Sequence, residues 1–256
     1  MTERDLAAYP SLAGRTVFIS GGASGIGEAL VRAFAGQRAK VGFVDIMEER
    51  GRGLAEELGR EGASVLFVPT DLTDIAALRS SVSRVAEALG RITVLVNNAA
   101  NDTRHDWRGE TPESWDARIA VNLKHFFFAI QAVAPAMIEA GGGSIINFGS
   151  ISWMIGQGGM PVYTTSKSAV HGMTRSFARD LGKDRIRVNT VLPGWVMTQR
   201  QLDLWVDENT ERTIAERQCL PDKLQPDDLA RMVLFLASDD SAMCTAQNYI
   251  VDGGWA

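Results

Sequence analysis

The chain has 256 residues, 45% hydrophobic and 22% charged, with a net charge of -5; that suits one large α/β domain or two small ones of soluble composition. No basic concentration is present to grip a nucleic acid backbone, and no run of eighteen or more apolar residues suggests a membrane span. The two cysteines and three histidines form no metal-binding pattern and no CxxC, so reduced thiols, a cytoplasmic location and no metal are expected.

Residues 1–14 read as a short polar lead, and their acids and missing apolar core argue against a signal peptide. Residues 15–20 (RTVFIS) are short, apolar and β-branched, hence a strand. A glycine-rich turn follows, then a helix of period 3.6. Residues 40–45 form a second strand, 46–62 a helix with a glycine stop, and 64–71 a third strand. A helix over 74–90 leads to a fourth strand at 91–100 and a loop at 101–111. Residues 112–140 read as one long helix with Pro112 at its first turn. A fifth strand (141–150), a glycine-rich loop (153–160), a helix (163–182) and a sixth strand (185–194) come next. Residues 195–226 are an excursion with some helical character; a helix (227–237) and a seventh strand (247–252) close the chain.

Strands alternate with helices, and several strands are almost wholly apolar. That pattern predicts an α/β fold: a single doubly wound domain over 1–256, with a seven-stranded parallel sheet covered by helices on both faces. Residues 195–226 would be a substrate flap. Such a sheet binds ligands at the carboxyl ends of its strands, and the polar motifs fall there.

Gly21, Gly25 and Gly27 follow the first strand and open the first helix. Glycine allows the tight turn and a close backbone approach to a pyrophosphate, and the helix N-terminus supplies free N–H groups. Asp45 ends the second strand, where its carboxylate can take both hydroxyls of an adenosine ribose and repel a 2′-phosphate. No Arg directly follows it, so NAD is expected over NADP. Asp71, at the end of the third strand, either accepts from the adenine amine or serves a turn.

Tyr163 and Lys167, in YTTSK, stand one helical turn apart on one face. A phenol of pKa about 10 is a poor base at neutral pH, and a neighbouring ammonium lowers that pKa. Ser150 lies at the end of the fifth strand, placed to hydrogen-bond a substrate oxygen.

These motifs resemble the short-chain dehydrogenase/reductase family from about residue 15 to 255. The carriers are SGGASGIG (with Ser24 and Ile26 between its glycines), Asp71-Leu72, NNAA (Asn97 to Ala100, with Asn98 and Ala99), Asn122, Ser150, YTTSK and PGWVMT. The resemblance implies Tyr163 as acid/base, Lys167 on the nicotinamide ribose, Ser150 on the substrate oxygen and Asn122 anchoring a water relay. It places Thr198 on the carboxamide, with Val196 contacting by its backbone, and implies a homotetramer or dimer. Ala100 replaces the family's usual Gly; at positive φ its methyl would cost about 1 kcal/mol.

NDTRHDW, INFGSISW and the C-terminal stretch further resemble bacterial NAD-dependent sugar dehydrogenases, which oxidise an aldose to its lactone. The small-molecule sugar would then meet a polar, aromatic-walled pocket. Candidates are Asn101, Arg104, His105, Trp153, Gln157, Trp195, Arg200 and the catalytic Ser150 and Tyr163, with Gln199 and Trp205 also at hand. Arg104 and His105 could instead pair with Asp102 or Asp106, and Arg200 could close the flap through an ion pair. Rival readings are a sugar-acid dehydrogenase, a 3-oxoacyl or ketone reductase, and a non-enzymatic NAD-sensing scaffold.

Overall fold

The computed structural model describes residues 7–256. The first six residues of the expected polar lead lie outside that range. The rest of the lead turns back onto the domain: the Tyr9 amide donates to Gln37 Oε1 at 2.7 Å, and Leu12 is fully buried.

Seven parallel strands form one sheet in the order β3-β2-β1-β4-β5-β6-β7. They are β1 (Thr16–Ser20), β2 (Lys40–Asp45), β3 (Val65–Pro69), β4 (Ile92–Asn97), β5 (Gly143–Phe148), β6 (Ile186–Pro193) and β7 (Asn248–Val251). The inner strands are apolar on both faces because both faces are covered; every residue of β1 is buried. The helices are α1 (Gly25–Gly36), α2 (Glu48–Arg60), α3 (Ile75–Leu89), α4 (Pro112–Ile119), α5 (His125–Glu139), α6 (Pro161–Leu181), α7 (Gln199–Leu204), α8 (Glu208–Arg217) and α9 (Pro226–Ala237). Leu30, Phe34, Leu229 and Val233 close the core on one face of the sheet. Leu78, Ile130, Val133 and Met137 close it on the other. Strand order reverses between β1 and β4, which opens a crevice at their carboxyl ends, at Ser20 and Asn97.

The helix expected at 112–140 runs from Pro112 to Glu139, but one π turn, Ala120–Lys124, interrupts it. The turn carries Asn122. This helix is long and apolar enough to cross a membrane by length and composition, against the expectation of no such segment. Counting uninterrupted apolar residues misses it, because single polar residues such as Asn122, Lys124 and Gln131 break the run. Phe126, Ala129, Ile130, Val133 and Met137 are instead buried in the domain core.

Candidate active site

The glycine turn is a cradle in which side chains have no room. A Cβ on Gly27 would stand 1.7 Å from the Gly21 carbonyl oxygen, and one on Gly21 would stand 2.8 Å from Ala99 Cα. Gly25, at φ +56°, faces the Thr198 methyl at 3.1 Å from its own would-be Cβ. Ile26 packs against the core. Ser24 caps α1 without any side-chain hydrogen bond, so the first amides of the helix stay free for an anion. Asn98 braces the turn: its side-chain amide donates to the carbonyls of Ser20 and Gly21 at 3.1 and 2.9 Å. The Ser20 hydroxyl accepts from the amides of Asn98 and Ala99. Asp45 accepts from the Ala23 and Met47 amides, each at 3.0 Å, which aims its carboxylate across the mouth of the turn. Asp71 takes the turn role: it accepts from the Thr73 amide and hydroxyl, and those bonds hold it below the usual carboxylate range. Leu72 is buried beneath it. Val196 is buried, and Thr198 caps α7. These residues fit a dinucleotide. Ala100 does not sit at positive φ, so the expected strain is absent.

Tyr163 lies in the first turn of α6, with Lys167 one turn below. The ammonium of Lys167 donates to the Phe148 carbonyl at 2.9 Å and lies 5.7 Å from the centre of the Tyr163 ring. Lys167 is only 1% exposed, and burial pushes it down to about 7. Burial likewise pushes the Tyr163 phenol up, and Asp102 adds to the rise; the Ser150 hydroxyl and Arg104 pull it back. Here the structure departs from the sequence reading, which had Lys167 lowering the phenol. Burial sets the direction, and Lys167, itself pushed down by burial, is not among the groups that pull the phenol back. Ser150 also accepts from the Ser152 amide at 3.1 Å.

Asn122 is buried and fully engaged with the loop after β4. Its oxygen accepts from the Asn101 amide at 2.9 Å, and its nitrogen donates to the carbonyls of Asn101 and Arg118. Asn101 spends its own side chain on Thr103. Arg200 forms the flap ion pair, 3.1 Å from Asp102, which Gln201 also reaches at 2.6 Å. Arg104 points inward: its guanidinium lies 5.0 Å from the Trp205 ring and 5.9 Å from that of Trp195. Trp195 stacks on Trp255. The indole nitrogens of Trp153, Trp195 and Trp205 are buried without partners. Trp153 lies beside His171, 6.3 Å between ring centres. Gln157 sits in the glycine-rich loop, its amide bonded to the Ser152 carbonyl. His105 is tied to α6 through Val162 and Arg104 through Met160, while Asp102 pairs with Arg200 and Asp106 with Arg108.

Sequence reasoning missed His125. It is fully buried, and Nε2 reaches the carbonyls of Ala99 and Val121 at 3.2 and 3.0 Å. Burial, with Lys167 nearby, holds it down to about 3, so it is a neutral strut beneath the crevice. Met160 and Asp102 were missed as contacts of Arg104 and Arg200; nothing in their local spacing signals those partners.

The family model described as Enoyl-(Acyl carrier protein) reductase matches residues 21–256. The chain is 47% identical to the probable galactose dehydrogenase of Rhizobium meliloti, over 96% of both chains. It is 46% identical to the D-xylose 1-dehydrogenase of Caulobacter vibrioides, over 97% of this chain and 98% of that one. Among solved structures, a blue fluorescent protein from a metagenomic library in complex with NADPH superposes with a TM-score of 0.89 at 34% identity, covering 96% of this chain and 99% of that one. The chain belongs to the short-chain dehydrogenase/reductase family. It is an oxidoreductase that uses a nicotinamide dinucleotide.

Proposed function

We propose that this chain oxidises a free aldose, of the pentose or 6-deoxyhexose kind, at C1 to the sugar lactone with NAD. One observation carries the reading: Tyr163, Ser150 and Lys167 converge beside an Arg104–Trp195–Trp205 wall in a chain 46% identical to a D-xylose 1-dehydrogenase. Tyr163 takes the proton of the anomeric hydroxyl. The Ser150 hydroxyl holds the same oxygen as charge develops on it. Lys167 fixes the floor of the site through Phe148, and Asn122 fixes the loop beside it. When bound, the nicotinamide supplies the acceptor for the C1 hydride. Gly21, Ser24, Gly25, Ile26 and Gly27 would hold the pyrophosphate, with Val196 and Thr198 on the nicotinamide side. Residues 195–226 act as the flap of one domain spanning the chain.

The test is reduction of NAD with D-xylose, L-arabinose, L-fucose, D-galactose and their aldonates. Turnover of a free aldose is expected. Turnover of carboxylated substrates alone rejects the reading and favours a sugar-acid dehydrogenase, a reading supported by Arg104, which forms no ion pair among the described residues.

NAD is preferred because Asp45 crosses the ribose position with no cation paired to it among the described residues. Asp45→Ser is expected to lower kcat/KM for NAD about 10- to 100-fold, the worth of charged hydrogen bonds, and to narrow its advantage over NADP. A wild-type protein that already favours NADP refutes the assignment. A homotetramer through α4, α5 and α6 is supported by Trp115 and Phe127, 42% and 44% exposed on α4 and α5. The free thiols of Cys219 and Cys244 support a reducing, cytoplasmic setting.

A further inference from the structure

We infer that His105 is a positioning residue for the catalytic tyrosine: it caps, from a distant loop, the helix that carries Tyr163. A helix begins with amides that have no acceptor inside it. Ser, Thr, Asn or Asp ordinarily serves them. At α6 the capping position is Met160, which makes no side-chain cap, and the first helical residue is Pro161, which has no N–H. The first free donor is therefore the amide of Val162, the residue before Tyr163. His105 Nε2 accepts from it at 3.3 Å across 57 residues of sequence.

The other ring nitrogen identifies the tautomer. His105 Nδ1 lies 3.1 Å from the Thr103 carbonyl. A carbonyl only accepts, so Nδ1 carries the hydrogen and Nε2 is left as the acceptor. Both nitrogens are thereby used, and the side chain is 5% exposed. In this arrangement neither ring nitrogen is left to offer a hydrogen bond to the sugar for which the sequence proposed His105. Glu110 Oε2 stands 3.9 Å from Nε2, beyond hydrogen-bond distance, while the other oxygen of that carboxylate, Oε1, accepts from Arg118 and Ser114.

The tie matters because the segment before α6 has little stiffness of its own. Gly156 and Gly159 sit at φ +65° and +77°, and side chains built on Gly156, Gly158 and Gly159 would meet nothing within 4 Å. Two neighbouring ties act at the same place: the His105 amide donates to the Gly159 carbonyl at 2.8 Å, and Arg104 Nη1 donates to Met160 Sδ at 3.1 Å. The RH of NDTRHDW is thus a clamp on the start of the catalytic helix. This inference rests on Tyr163 being the base, not on which substrate it serves.

The test compares His105→Phe, which keeps a ring without an acceptor, with His105→Gln, which restores an acceptor. His105→Phe is expected to lower kcat about 10- to 100-fold, as a displaced base does, with KM within about 3-fold. His105→Gln is expected to recover most of the lost kcat. A rise in KM at constant kcat, or a Gln variant no better than Phe, overturns the inference. The imidazole nitrogen shifts of the wild-type protein decide it independently of folding or substrate. The Nδ1–H tautomer is expected, and the Nε2–H tautomer overturns it. If no aldose is oxidised, the proposed function fails while the tautomer measurement still decides this inference.

Discussion

Tyr163→Phe is expected to lower kcat by about 10³-fold, within the range general acid–base groups contribute, while dinucleotide binding persists. Removing one oxygen leaves the ring in place, so packing around α6 is unchanged. What is lost is the atom proposed to take the substrate proton. The sign of the pH dependence follows from the role proposed for the phenol, and the burial that pushes it up moves the limb to higher pH. The base works as phenolate, so oxidation speeds up as pH rises toward the phenol's pKa, and that limb disappears in the variant. Pre-steady-state NADH absorbance measures the rate, and a fluorescence titration measures cofactor affinity. A variant that retains the wild-type rate would remove Tyr163 from the mechanism.

Lys167→Met separates two roles of one side chain. It is expected to lower activity at least about 100-fold, and also to stabilise the protein when no dinucleotide is added. The depression of Lys167 from 10.5 to about 7 corresponds to about 5 kcal/mol of stability lost below pH 7. Between those two values the unfolded chain binds the proton and the folded chain does not, so stability rises with pH across that window. The loss is complete below pH 7 and gone near pH 10.5. Methionine never suffers it, but leaves the Phe148 carbonyl without its donor, at a cost of about 1–3 kcal/mol. The variant should therefore exceed the wild type by a few kcal/mol at pH 6, and the gap should shrink or reverse by pH 9–10. Urea unfolding at both pH values measures it. A gap that does not change with pH would mean that Lys167 keeps its charge at little cost.

Much of this was legible in the residues because local chemistry decides it. Continuous apolar runs such as VFIS and VLVN are suited to strands buried on both faces. Gly27 had to be glycine, and the structure shows the carbonyl that requires it. YTTSK places its two functional groups by helical spacing alone. What escaped depends on partners far apart in sequence. Asp102 and Arg200 meet across 98 residues, and either could have paired with a nearer charge. The role of His105 turns on which nitrogen faces Val162, which composition does not encode. The π turn at Asn122 adds a residue to a helix whose apolar pattern looks continuous. The balance between Lys167 and its own burial is set by the depth of the site, which a spacing argument does not contain.

The contact between Asp102 and Arg200 joins the loop after β4 to the segment proposed as a flap. The carboxylate is 20% exposed and the guanidinium 49%, so solvent reaches both partners. A latch of this sort is held by attraction that dissolved ions weaken, unlike the oily seams of the surrounding core. Its share in holding residues 195–226 against that loop is therefore expected to shrink as salt is added, while the apolar contacts of the core persist.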